Sequence, residues 1–124
     1  MAQNGRFGLS VRVLGFLALE PDTMHTSASI AESLHTSPVM VRRVFSSLHK
    51  AGFIQQRKGP TGGAKLKVPA RTIGLGDVFS ASAGAWPATG EKAVDAVLNR
   101  VRQDAVAAMN ESSVATLTKK MKKT

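Results

Sequence analysis

Residues 37–68 constrain this chain more tightly than any other stretch, because a helix start, a helix stop and a hairpin follow one another there without a single acidic residue. Ser37-Pro38 reads as the start. A serine oxygen accepts from the free N–H groups of a first helical turn, and proline at the first helical position has no N–H to leave unpaired. Val41, Val44, Phe45 and Leu48 recur at three- and four-residue steps, the spacing of one buried helix face. Gly52 then stops the helix. Residues 53–58 read as a strand, residues 59–63 (Gly-Pro-Thr-Gly-Gly) as a turn-rich loop, and residues 64–68 as a returning strand. In the returning strand Leu66 and Val68 alternate with Lys65 and Lys67, so one face is apolar and the other basic.

The polar side of this unit has a consistent sign. Arg42, Arg43, Ser46, Ser47 and Lys50 fall opposite the apolar helix stripe, with Val39 near the leading end. Between residues 33 and 76 the charged residues are Arg42, Arg43, Lys50, Arg57, Lys58, Lys65, Lys67 and Arg71, all basic. A formal net charge of +9 favours a polyanionic partner, either nucleic acid or an anionic membrane surface. A basic-faced helix joined to a basic hairpin narrows this to a nucleic-acid reader of winged-helix layout. The expected fold class is mainly α with a small β-hairpin: a winged helix-turn-helix domain plus a long C-terminal dimerisation helix.

Other classes are excluded or disfavoured by what the chain lacks. It contains no cysteine, so disulfides, thiolate metal sites and cysteine nucleophiles are ruled out. No apolar run is long enough to cross a bilayer, and residues 1–6 lack a signal-peptide pattern, which leads to an expected cytoplasmic location and no membrane partner. No acid pair, nucleophile–base set or cofactor loop suggests an enzyme. His25, His35 and His49 lack metal-ligand spacing, so no metal and no cofactor are expected. RNA binding is disfavoured by the scarcity of stacking aromatics, with no tyrosine and one tryptophan. A winged-helix protein-interaction module is the remaining alternative, and the acid-free basic surface argues against it.

Around the central unit, Leu9, Val11, Val13, Leu14, Phe16, Leu17 and Leu19 make a first helix apolar almost all round, expected to be covered by its own domain and by something further. Residues 20–22 end it. A second helix, residues 27–34, and a tight turn at His35-Thr36 complete a helix-turn-helix. A fourth helix is expected over residues 72–82, weakened by its glycines. Residues 84–90 form a loop containing Trp86, read as a packing residue or the roof of an effector pocket. A long helix follows over residues 91–110, with Val94, Val97, Leu98, Val101, Ala105 and Met109 on one face. At 1.5 Å per residue it reaches about 30 Å, more than so small a core needs, so a two-helix interface is its natural use. One short helix holding Val114, Leu117 and Met121 and a frayed lysine-rich tail close the chain. The expected division is residues 1–83 for the winged helix-turn-helix domain and 84–124 for linker, dimerisation helix and tail.

At residues 37–43 (Ser-Pro-Val-Met-Val-Arg-Arg) and 57–64 (Arg-Lys-Gly-Pro-Thr-Gly-Gly-Ala) the chain resembles the IscR/NsrR (Rrf) family of bacterial winged-helix regulators. Ile30-Ala31-Glu32 and the Ile-Gly-Leu-Gly-Asp-Val run at 73–78 fit the same order of elements. The resemblance implies a homodimeric DNA-binding regulator or repressor, with the long helices crossing between protomers. Well-studied members carry three cysteines in the loop before the long helix and bind an iron–sulfur cluster there. The loop here has none, and Thr61 and Ala64 stand where glycine and an aromatic residue are common, so cluster-based sensing is not carried over.

The candidate DNA-binding residues are therefore Ser37, Val39, Met40, Arg42, Arg43, Ser46, Ser47 and Lys50 of the helix. The hairpin adds Arg57, Lys58, Gly59, Pro60, Thr61, Gly62, Gly63, Lys65 and Lys67. Arg42 and Arg43 suit either guanine edges or phosphates, and Val39 suits either a thymine methyl or a patch on a neighbouring helix. The glycine-rich loop is not a phosphate-binding P-loop, since no Ser or Thr follows Lys65 at the right spacing, and it fits phosphates or the minor groove of DNA instead. The expected partners are double-stranded DNA and a second copy of the chain, with an unidentified small-molecule effector left open.

Overall fold

The computed structural model describes residues 2–59, 62–82 and 89–123. Three helices come first: α1 (Ala2–Leu19), α2 (Ser27–Leu34) and α3 (Pro38–Lys50). A two-stranded antiparallel hairpin, β1 (Ile54–Arg57) and β2 (Gly63–Leu66), follows, and then α4 (Leu75–Ser82), α5 (Lys92–Met109) and α6 (Val114–Lys123). The order is that of a winged helix-turn-helix followed by a long helix, mainly α with one small hairpin.

α1 is the hub. Its Val13, Leu14 and Leu17 are fully buried, each such side chain contributing about 1.5–3 kcal/mol relative to exposure. The helix packs against α2, α3, α4, β2 and α6. The second cover expected over this all-round apolar helix thus comes from the same chain. α6 returns to lie along α1, where the Met121 sulfur sits 2.8 Å from the position a Cβ would take on Gly15. α6 extends to Lys123, through the lysines expected to fray, and its own Val114 and Thr118 are buried. Phe7 and Phe79 meet edge to face at 5.4 Å and tie the start of α1 to α4.

The helix-turn-helix is closed by caps. Thr26 Oγ1 accepts from the Ser29 N–H at 3.0 Å at the start of α2, and Ser37 Oγ accepts from the Met40 N–H at 3.2 Å at the start of α3. Each satisfies one of the donors a helix start leaves open. The strands are shorter than the sequence pattern suggests, ending at Arg57 and Leu66, since Lys58 and Lys67 lie beyond the paired register. β2 also gains a second neighbour: the His25 N–H donates to the Ala64 carbonyl and the Ala64 N–H to the His25 carbonyl, both at 2.9 Å. The link between α1 and α2 is thus a one-residue edge strand that fixes the hairpin to the helical body.

The fourth helix starts at Leu75, three residues later than its composition suggests. A short 3-10 turn occupies residues 70–72. Gly74 then bridges Ser113, with the Val114 N–H donating to the Ile73 carbonyl and the Leu75 N–H to the Ser112 carbonyl, both at 2.9 Å. Gly76 is a packing residue, because a Cβ there would run into the Val106 carbonyl of α5. Asn110 completes the clasp: its Oδ1 accepts from the Asp77 N–H at 3.0 Å, and its Nδ2 donates to Asp77 Oδ1 at 3.2 Å. Among the described residues, no helix is long and apolar enough to cross a membrane.

Candidate nucleic-acid interface

α3 turns a continuous polar face outward because its apolar face is complete. Val41, Val44, Phe45 and Leu48 are buried, as their spacing suggests. At about 100° per residue, Val39, Arg43, Ser46 and Lys50 project directly away from that stripe, and Arg42 projects from one flank. All five are exposed, Val39 at 48 %. Met40 and Ser47 are half-buried, and Ser47 Oγ turns back to donate to the Arg43 carbonyl at 3.5 Å.

The hairpin stands beside the Arg42 flank. In its register Ile54 faces Leu66, Gln55 faces Lys65, Gln56 faces Ala64 and Arg57 faces Gly63. Alternation puts Ile54, Gln56, Ala64 and Leu66 on the inner face and Gln55, Arg57 and Lys65 on the outer one. Gly63 is required where it stands: its φ is +132°, and a Cβ would collide with the His25 carbonyl across the edge bridge. Gly62 donates its N–H to the Gly59 carbonyl at 3.0 Å, closing the turn. Pro60 and Thr61 lie outside the described residues, as does Trp86.

Helix and hairpin enclose two adjoining clefts. One, of about 300 Å³, brings Arg42 together with Arg57, Lys58, Gly59, Gly62 and Gly63. The other, of about 620 Å³, continues along the C-terminal half of α3 past Ser46, Ser47 and Lys50. Lys58 and Gln56 line both. Lys65 and Lys67 line neither; they stand on the outer side of the hairpin and just beyond it. Five lining residues lie outside the sequence-based candidates: Thr26 and Ser27 at the start of α2, Phe45 of the buried stripe, His49, and Gln56. Inner-face alternation could have found Gln56, and the capping pattern Thr26.

Electrostatically the surface is unopposed. Among the described residues, none of Arg42, Arg43, Lys50, Arg57, Lys58, Lys65 and Lys67 pairs with an acid. Seven free cations on one helix–hairpin unit make a positive field that long phosphate chains fill.

The stripe expected on the last long helix divides. No residue of α5 is buried. Leu98, Ala105 and Met109 are half-buried, whereas Val94, Val97 and Val101 are 38, 62 and 51 % exposed. No three His, Asp or Glu among the described residues come together as a metal site. With no cysteine in the chain, the residues present do not fit an iron–sulfur cluster.

Residues 4–120 match the Rrf2 family, described as iron-dependent transcriptional regulators. Over 78 residues, 63% of this chain, the sequence is 36% identical to the HTH-type transcriptional regulator YwnA of Bacillus subtilis (strain 168); the match spans 56% of that relative's length. CymR, the global cysteine regulator of B. subtilis, has the same fold, with a TM-score of 0.72 and 20% identity over 92% of this chain and 93% of that one. IscR of T. potens superposes with a TM-score of 0.72 and 21% identity over 94% and 85%. The order of helix-turn-helix, hairpin and long following helix is thus a fold shared with these structures, and the chain belongs to the Rrf2 family of transcriptional regulators.

Proposed function

We propose that this regulator is a homodimeric, sequence-specific DNA-binding repressor that works without an iron–sulfur cluster. The observation that carries the reading is the unpaired, acid-free face formed by α3 and the wing. A helix of this kind enters the major groove with its outward side chains at the base edges, here Val39, Arg43 and Ser46, while the wing reaches the adjoining minor groove. One such helix spans only a few base pairs, too few to select a site in a genome. The exposed Val94, Val97 and Val101 on α5 supply the surface by which a second copy doubles the reading length. Repression is the simplest output, since a dimer occupying its site obstructs transcription without any further surface. The lack of thiolate ligands supports a cluster-free protein, expected to be colourless after anaerobic purification.

The test is to incubate the purified protein with fragmented genomic DNA and sequence what it retains. The expected result is a small set of fragments sharing a two-fold motif with half-sites about one helical turn apart. Transcription from a retained promoter should fall as protein is added. Retention without sequence preference, or none at low salt, would remove the reading. A visible iron–sulfur absorption band would remove its cluster-free part alone.

A further inference from the structure

The larger cleft between α3 and β1, about 620 Å³, is lined by Ser46, Ser47, His49, Lys50, Gln56 and Lys58. We propose that it is a backbone-phosphate subsite for duplex DNA and that His49 is a proton-linked ligand within it. The inference rests on the DNA-binding reading above. If α3 occupies the major groove and the wing the neighbouring minor groove, the sugar–phosphate chain separating the two grooves runs between them. The cleft is the gap between those two elements, and its lining offers hydroxyls, an amide, two ammonium groups and an imidazole.

The histidine's chemistry is set by its neighbour. His49 Nδ1 lies 3.4 Å from the Ile54 carbonyl oxygen. A carbonyl only accepts, so Nδ1 carries the hydrogen of that bond, and in the neutral ring Nε2 holds a lone pair. Nε2 has no partner among the described residues. A lone pair facing a phosphate oxygen makes no bond. Once Nε2 takes a proton it donates a charge-assisted hydrogen bond to that oxygen while Nδ1 keeps its own. The charged groups around the ring are Lys50 on its own helix and Lys58 beyond β1, with Arg42 and Arg57 farther along the joined clefts. Among the described residues no acid lines either cleft, so the negative charge that answers the proton comes from the bound phosphate. Binding of DNA therefore takes up as much as one proton per protomer. Because the partner is backbone, the effect is independent of base sequence.

The experiment measures affinity for a random-sequence duplex at fixed salt between about pH 6 and pH 8, the span in which histidine titrates. Wild type is expected to bind several-fold tighter at the acid end. His49→Gln, which keeps a donor but cannot change charge, should lose most of that dependence, and His35→Gln should keep it. Calorimetry of wild-type binding in two buffers of different ionisation enthalpy counts the protons directly and needs no variant. A flat wild-type profile with binding intact, an unchanged profile in His49→Gln, or no proton uptake would overturn the assignment while leaving DNA binding standing. Failure to bind any duplex at either pH would instead sink the DNA-binding reading, and this inference with it.

Discussion

α3 and α5 are both amphipathic, yet only one of them is finished within a single chain. α3 has 13 residues and buries four of them under its own domain, while α5 has 18 and buries none. What each leaves outward differs accordingly. α3 shows Arg42, Arg43, Ser46 and Lys50 to solvent with Val39 as its one open large apolar side chain, whereas α5 shows three valines, the most open of them 62 % exposed. A completed apolar face leaves a polar surface that water tolerates and a polyanion can claim. An uncompleted one asks for another apolar surface. On the function proposed above, the contrast assigns reading to α3 and doubling to α5, and the Gly76–Asn110 clasp ties α5 to its neighbour α4.

The largest effect should come from placing a charge on the unfinished helix. Val101→Asp puts a carboxylate into the proposed seam, where an unpaired buried charge costs on the order of several kcal/mol. Because Val101 is exposed in one chain, the variant should fold, sediment as a monomer and bind its operator poorly. A wild-type protein that is already monomeric at micromolar concentration, with tight operator binding, would end the comparison between a complete and an incomplete helix.

Arg42→Ala tests the finished helix. If Arg42 reaches a base from its flank of the helix, losing that bidentate bond costs about 1–3 kcal/mol on the preferred site and relaxes selectivity at one base pair. Arg42 shares its cleft with Arg57 and Lys58, and Arg43 projects from the crest of the helix. Equal losses on operator and random DNA would assign Arg42 to the phosphates and leave base reading to Arg43.

Much of this contrast was already legible in the chain, because its signals are local. The cap at Ser37, the proline after it and the 3.6-residue apolar period sit within one helix, and all reappear in α3. What stayed hidden depends on partners distant in sequence. Nothing around His25 alternates in the manner of a strand, so its pairing with Ala64 follows only from the fold. Gly74 and Gly76 look like defects in a helix until Ser113, Val106 and Asn110 are brought beside them. The expected six-residue stripe on α5 could not be divided into half-buried and open members without knowing where α4 lies.

A smaller effect separates the crest of α3 from the outside of the wing. Lys65 and Lys67 line neither cleft, so replacing both with glutamine should spare selectivity and weaken all duplexes modestly. For every phosphate that a lysine no longer neutralises, the slope of log affinity against log salt becomes shallower by about 0.9. An unchanged slope would put both lysines off the DNA and confine the interface to the α3 face and the two clefts.

The smallest effect distinguishes how the two helices begin. α3 starts on a hydroxyl, Ser37, which does not titrate. α5 starts at Glu91, whose side chain makes no cap bond, and Asp95 reaches back to do the work. Its Oδ1 accepts from the Thr89 N–H at 2.8 Å and from Thr89 Oγ1 at 3.0 Å, and its Oδ2 from the Gly90 N–H at 3.2 Å. These bonds, the Thr89 N–H foremost, hold the Asp95 carboxyl below its ordinary range, outweighing a small opposing effect of desolvation. A lowered folded value means that the unfolded chain takes up the proton first. The capping contribution is therefore whole above the ordinary aspartate range, near pH 4, and is lost as pH falls through the folded value. In an acid titration followed by NMR, the Thr89 and Gly90 amides should shift together with a midpoint below the ordinary aspartate value, while the Met40 amide on Ser37 stays still. Asp95→Asn should abolish that shift and leave the start of α5 insensitive to pH. A Thr89 amide that does not titrate in the wild-type protein would mean that α5 begins without this cap.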